Sequence, residues 1–138
     1  MIVLDTSGLL AGIDAAQRRH ADVRRVLEGD PGPFLLSPFV LAEMDYLLAT
    51  RVGTRAQLLF LDEVARGTYR LEPFSGDDVR RAAEVVDRYR DLALGLTDAS
   101  LVVLAARART TRLLTLDERH FLAVKPLRGR AFDLLPGG

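Results

Sequence analysis

The stretch Ile2-Val3-Leu4-Asp5-Thr6-Ser7 (IVLDTS, residues 2–7) decides how the rest of the chain is read. Three consecutive apolar, β-favouring residues make a short strand with no polar face, the pattern of a strand covered on both sides. The strand stops on a carboxylate, and TSGLLAGI (6–13) continues as a helix. Leaving an unpaired carboxylate in a core is costly. Asp5 therefore has two readings: it caps the helix that begins at Thr6, or it belongs to a site in which its charge has a partner.

Outward from this stretch, strands and helices alternate. DAAQRRHADVRRVLEG (14–29) reads as an amphipathic helix, and PFLLS (33–37) as a buried strand introduced by the breaker run GDPGP. Residues 37–53 read as a helix with Ser37 as N-cap, Pro38 at its first position and Gly53 just past its end. Thr54 with Gln57, and Ser75 with Asp78, have the spacing of capping boxes at the starts of two further helices. TYRLEP, TRLLTLD and RAFDLLP supply three more strand candidates, TDASLVVLAARAR a strongly apolar helix, and ERHFLAV a turn or short helix. The expectation is an α/β fold with a central, mainly parallel sheet flanked by helices, in a single domain spanning residues 1–138.

Composition narrows the function classes. With no cysteine, neither a disulfide framework nor a thiolate metal site is available. No stretch approaches the ~18 apolar residues of a membrane span, and Asp5 interrupts the first apolar run too early for a signal peptide, so no membrane association and a cytoplasmic location are expected. Lys and Arg together equal Asp and Glu at 19 each, but the basic set is almost all arginine, with Lys125 the one lysine. Arginine forks match phosphate oxygens well.

In a parallel α/β sheet, ligands bind outside the carboxyl ends of the strands. Asp5 ends the first strand, Asp117 ends RLLTLD in the same way, and Asp98 opens the apolar helix after Thr97. Each is also a plausible N-cap. Glu43 lies about two turns into its helix, beyond the reach of the helix dipole, and calls for a partner, ordinarily an arginine. Carboxylates that share one cleft repel one another unless a cation screens them. An oxygen-only set without a histidine cluster suits a hard cation such as Mg²⁺ or Mn²⁺. Thr6, Ser7 and Thr115 are placed to hydrogen-bond a site carboxylate or water, although for Thr6 ordinary capping is the stronger reading. His20 and His120 show no acid–base partner in sequence and read as structural or surface residues.

On these blocks the chain resembles a PIN-domain ribonuclease, in particular the VapC toxins of VapBC toxin–antitoxin pairs. The resemblance rests on IVLDTSGLLA, SPFVLAEMDYLL, YRDLALGLTDASLVVLA and RLLTLDERHF, in that order, and covers nearly the whole chain. It puts the family's four acids on Asp5, Glu43, Asp98 and Asp117, as catalytic and metal-binding residues, and its accompanying hydroxyls on Ser7 and Thr115. Asp91 falls at a commonly acidic position and reads as a solvated charge. The resemblance implies an Mg²⁺- or Mn²⁺-dependent endoribonuclease, the toxin of a type II toxin–antitoxin system, that cuts tRNA or rRNA to leave 5′-phosphate and 3′-hydroxyl ends. It further implies a homodimer and neutralisation by a VapB-type antitoxin. Asp5 and Asp98 would hold the principal metal, with Glu43 and Asp117 completing the site, supporting its ligands or binding a second ion, and Arg18, Arg19 and Arg112 would be placed to bind phosphates.

Three rivals stand beside this reading. A receiver-type phosphoacceptor needs a lysine near its site, and Lys125 precedes Pro126 away from any clear strand end. A dinucleotide-binding fold is disfavoured because DTSGLLAG lacks the G-x-G-x-x-G run. The third is a non-catalytic PIN-fold module that binds RNA or protein.

Overall fold

The computed structural model describes the whole chain, Met1 to Gly138. Its elements in order are β1 (Ile2–Leu4), α1 (Thr6–Ile13), α2 (His20–Gly29), β2 (Phe34–Leu36), α3 (Pro38–Arg51), α4 (Thr54–Ala65), β3 (Arg70–Leu71), α5 (Gly76–Arg88), a single 3₁₀ turn (Arg90–Leu92), α6 (Leu96–Ala108), β4 (Arg112–Leu114), α7 (Glu118–Ala123) and β5 (Asp133–Leu135). The five strands form one sheet in the order β3-β2-β1-β4-β5, and every neighbouring pair is parallel.

β1 is the middle strand. Val3 registers with Leu35 of β2 on one side and with Leu113 of β4 on the other. Ile2, Val3 and Leu4 are wholly buried, as their unbroken apolar run requires when helices cover both faces. α6 supplies the largest buried patch against them, from Ala99 to Ala105. The chain leaves β1 toward β2 and returns to β4 on the opposite flank, so the end of β1 is the point at which strand order reverses. Crevices form at such points, and Asp5 is the residue placed there.

The helices start largely where the sequence indicates. Ser37 caps α3 by accepting from the Phe39 N–H, with Pro38 in the first turn, and Ser75 and Asp78 make a complete capping box at α5. Two expectations are corrected. Residues 14–19 are not helical: the Asp14 carboxylate accepts from the Ala16 N–H and from Gln17 Nε2, and Arg19 takes a left-handed conformation (φ 62°), so α2 begins only at His20. Thr54 and Gln57 form no capping box either. Gly53 occupies the N-cap, and Gln57 Nε2 reaches across to Asp45 of α3 at 2.7 Å.

α1 packs unusually close to β4 at Gly8. A β-carbon there would stand 2.5 Å from the carbonyl oxygen and 2.7 Å from the carbonyl carbon of Leu114, both backbone atoms that cannot swing aside. Gly8→Ala is expected to lower the unfolding free energy by about 1–3 kcal/mol, the range for overpacking a tight contact. Urea unfolding followed by circular dichroism measures it, and an unchanged midpoint would show that α1 can lift off β4 freely.

Candidate active site

Asp5 is at once a cap and a hub. Its Oδ1 accepts the Thr6 N–H at 2.8 Å, which caps α1. Its Oδ2 accepts two hydroxyls, Ser7 Oγ at 2.9 Å and Thr115 Oγ1 at 2.6 Å. With both hydroxyl protons turned to the carboxylate, the hydroxyl oxygens accept backbone donors in their turn. Leu116 N–H donates to Ser7 Oγ at 3.0 Å, and Asp117 N–H to Thr115 Oγ1 at 2.9 Å. One buried carboxylate thus ties the end of β1, the first turn of α1 and the segment after β4 together.

Asp117 lies on that segment rather than on the strand itself. β4 stops at Leu114, and Asp117 is the N-cap of α7, accepting from the His120 N–H. Asp98 is not a cap: Gly95 holds that position, and Asp98 sits in the first turn of α6, half-buried. Asp5, Asp98 and Asp117 line one cleft of about 380 Å³, together with Thr6, Ser7, Gln17 and Arg51. Glu43 stands at its rim, exposed on α3, and has no arginine partner. Instead Thr6 Oγ1 donates to its Oε1 at 2.6 Å and Thr97 Oγ1 to its Oε2 at 3.0 Å. The hydroxyls fix the carboxylate without neutralising it, and Thr6 serves the site rather than only its own helix.

The electrostatics follow from this arrangement. Burial pushes the Asp5 carboxyl up to about 6; the hydroxyls of Thr115 and Ser7 pull it back, and the charge of Asp98 pushes it further up. Asp98 is also raised, first by burial, then by the charges of Asp117 and Glu43, with the His120 ring acting in the opposite direction. None of Asp5, Glu43 and Asp98 is in an ion pair with an arginine or lysine; the one ion-pair partner in the quartet is His120, whose Nδ1 lies 3.0 Å from Asp117 Oδ2. That hydrogen bond holds the imidazole above its ordinary value. The cleft therefore carries carboxylate charge that the protein leaves largely uncompensated, the condition that attracts a cation.

The four acids do converge, but no three acidic or histidine side chains stand close enough to share one ion as they are. Mg²⁺ needs no such cage, because it keeps several waters and binds through one or two carboxylates with substrate phosphates. The donor set is all oxygen and suits it.

Sequence reasoning missed four lining or supporting residues. Thr97 was legible only as a neighbour of a supposed cap, and Arg51 only as the end of a helix. Gln17 fell inside a helix that does not form. His120 sits three residues after Asp117, the spacing at which an N-cap side chain reaches back along its helix, and that spacing was the signal for the pair. His20 is structural as expected, its Nδ1 2.7 Å from the Ala11 carbonyl oxygen. Asp91 is exposed on the 3₁₀ turn. Arg112 is misplaced by the sequence reading: it opens β4 at the amino edge of the sheet, opposite the acids, and pairs with Asp30 at 2.6 Å. Arg19 is paired with Asp22 at 3.1 Å.

Comparison with known proteins bears on the family and the fold. The PIN domain family matches residues 2–125. The chain is 44% identical over 135 residues to ribonuclease VapC26 of Mycobacterium tuberculosis, covering 98% of this chain and all of that one. Among solved structures it superposes on M. tuberculosis VapC20, a sarcin-ricin loop cleaving toxin, with a TM-score of 0.81 at 23% identity, over 94% of this chain and 100% of the other. FitAcB from Neisseria gonorrhoeae gives a TM-score of 0.55 at 16% identity, over 79% and 83% of the two chains. At these identities the two structures speak for the fold alone.

The Asp5 environment makes a pH prediction. Its carboxyl is raised from 3.8 to about 6 on folding, so the native state binds a proton that the unfolded chain has released. Its stabilising contribution is complete below about pH 4 and is lost as the pH rises through about 6. In EDTA, the unfolding free energy of the native sequence relative to Asp5→Asn should fall by about 2 kcal/mol between pH 4 and pH 7. Paired urea titrations at pH 4 and pH 7 measure the difference. A difference that is flat with pH would mean that the cleft is wetter than its packing implies.

Proposed function

The chain belongs to the PIN-domain family, in its VapC ribonuclease branch, and we propose that it is the toxin of a type II toxin–antitoxin pair, a divalent-metal-dependent endoribonuclease that acts on structured RNA such as tRNA or rRNA. The observation that carries the reading is the convergence of Asp5, Asp98 and Asp117 on one cleft at the strand-order reversal, with Glu43 fixed at its rim. We read residues 1–138 as a single PIN domain.

In this reading Asp5 and Asp98 would hold one Mg²⁺ or Mn²⁺, with Glu43 and Asp117 supporting the site from the edge of the cleft. The bound cation supplies a lowered pKa for an attacking water and positive charge against the phosphate. The protein's own groups do the rest. Ser7 and Thr115 hold Asp5 in one rotamer, so that ligand is pre-positioned. Thr6 and Thr97 hold both oxygens of Glu43, which leaves its remaining lone pairs to orient the water for attack on phosphorus. The bond from phosphorus to the 3′-oxygen breaks, leaving a 5′-phosphate and a 3′-hydroxyl. The His120 imidazole, its Nδ1 3.0 Å from Asp117 Oδ2, keeps Asp117 fixed at the lip of the cleft.

The cognate VapB-type antitoxin and a second copy of the chain are the protein partners of this reading. The exposed apolar residues Tyr46, Leu58 and Leu59 on α3 and α4 support it by offering surface for such contacts. No helix is long and apolar enough to cross a membrane.

Two linked measurements test the proposal. Antitoxin-free protein should melt higher in Mn²⁺ than in EDTA, by about 2.7 kcal/mol of stability at a hundred times the Kd, and Asp5→Asn should abolish the rise. The same protein should cleave RNA in Mn²⁺ and not in EDTA, with Asp98→Asn and Glu43→Gln each slower by about a hundredfold or more. Cleavage that persists in EDTA, or in Asp98→Asn at the native rate, would sink the assignment.

A further inference from the structure

The acidic cleft does not end at Asp117. A second cleft, of about 520 Å³, is lined by Arg18, Arg19 and Arg119 and shares Gln17, Leu116 and Asp117 with the first. The two are arms of one groove: Asp5 and Asp98 lie in the first arm with Arg51, and three arginines stand in the second beside Asp117, Glu118 and the C-terminal Gly138. We propose that Arg18 and Arg119 grip the phosphates of the RNA strand beside the cleavage point, so that the substrate enters the acidic cleft along this arm. The proposal rests on the ribonuclease reading and adds the path of the strand.

Of the three arginines on this arm, Arg19 is committed, its Nε on Asp22. Arg18 and Arg119 form no ion pair, even though Asp117 and Glu118 line the same cleft. An unpaired arginine means little alone, since Arg81 and Arg88 are also unpaired on α5. Arg18 and Arg119 differ in position: they reach the groove that leads to the acids. The loop that presents Arg18 is also built, not slack. Asp14 clamps Gln17 Nε2 at 3.1 Å, and the left-handed Arg19 turns the chain into α2. Arg119 is carried one residue into α7, whose cap is Asp117 itself, so the cap of the helix and the arginine move as one body. A polyanion is the ligand that such an arm accommodates: its charge is attracted by the guanidinium forks, and it can reach the acids only with a cation between.

The test uses Asp98→Asn as the non-cleaving parent, a labelled single-stranded RNA oligonucleotide of mixed sequence, and fluorescence anisotropy across a range of KCl. Each phosphate contact on a single strand contributes about 0.7 to the slope of log K against log salt. Adding Arg18→Ala and Arg119→Ala should flatten the slope by about 1.4 and weaken binding at low salt. Arg81→Ala with Arg88→Ala should leave the slope unchanged. Placed in the otherwise native sequence, with Asp98 intact, Arg18→Ala/Arg119→Ala should keep the native Mn²⁺-induced rise in melting temperature. An unchanged slope in the Arg18/Arg119 variant overturns the grip, as does an equal loss in the α5 control. A vanished Mn²⁺ rise also overturns it, because the arginines would then be organising the acids. Failure of the Asp98→Asn parent to bind RNA overturns the path as well, whereas the ribonuclease reading stands or falls separately on metal-dependent cleavage by the native sequence.

Discussion

The geometry of the cleft depends on what one carboxylate oxygen is asked to hold. Asp5 Oδ2 takes the protons of Ser7 and Thr115, and those two hydroxyls then take the backbone N–H groups of Leu116 and Asp117. A buried carboxylate is expensive unless its lone pairs are filled, and here the filling groups come from two segments, the first turn of α1 and the connection after β4. The cost of burying Asp5 is thereby converted into constraint. The connection after β4 cannot shift without uncovering it, and that connection carries Asp117. Metal-ligand positions are fixed in many proteins by such hydrogen bonds around the ligands; in this fold they also close the seam between β1 and β4, together with the Asp5 N–H to Leu114 carbonyl bond at 2.9 Å.

Much of this was legible because local rules and the global fold agree. An apolar run of three residues can only be a covered strand if helices lie on both sides, and β1 and β2 follow that rule. Ser75 and Asp78 form their capping box as spaced, even though Asp78 Oδ2 also accepts from Arg107 at 3.1 Å, because the two partners approach the same carboxylate without displacing each other. Where the sequence misled, a longer-range partner won. Gln57 had the spacing for a local cap but found Asp45 on the preceding helix. The periodicity of residues 14–19 argued for helix, yet the Asp14 side chain offers its own backbone a turn instead, as short polar side chains do. Asp117 looked like the end of a strand because Leu113 and Leu114 run straight into Thr115, but Thr115 already turns its hydroxyl toward Asp5. The acids themselves could be listed from sequence. That Glu43 rests on two threonines rather than on an arginine could not, because Thr6 and Thr97 lie 37 and 54 residues away from it.

Net neutrality conceals a strong local asymmetry. Formal charge sums to zero, but the protein spends its ion pairs away from the quartet: Arg107 on Asp78, Arg112 on Asp30, Arg24 on Glu28. An arginine placed on Asp5 or Asp98 would have relieved their repulsion and stabilised the free protein. The structure instead uses neutral hydroxyls, which order the carboxylates and leave their charge in place. Hydrogen bonds of that kind lower a carboxyl pKa only partly, which is why Asp5 remains raised despite three donors.

An uncompensated cleft of this kind responds to any cation that fits it. A divalent ion and a guanidinium from another chain would relieve the same burial and the same repulsion at the same oxygens, so each gains its affinity from the strain that the other would remove. Occupancy by one leaves little for the second, since linkage makes the loss reciprocal. On the proposed function, activation by metal and silencing by a basic partner side chain would need no separate sites and no conformational change. Both would follow from having Asp5 accept from hydroxyls instead of an arginine. The arginine arm beside Asp117 fits the same logic. Its positive charge is held far enough along the groove to draw a polyanion in while remaining unable to neutralise the acids itself, as the absence of any Arg119–Asp117 ion pair attests.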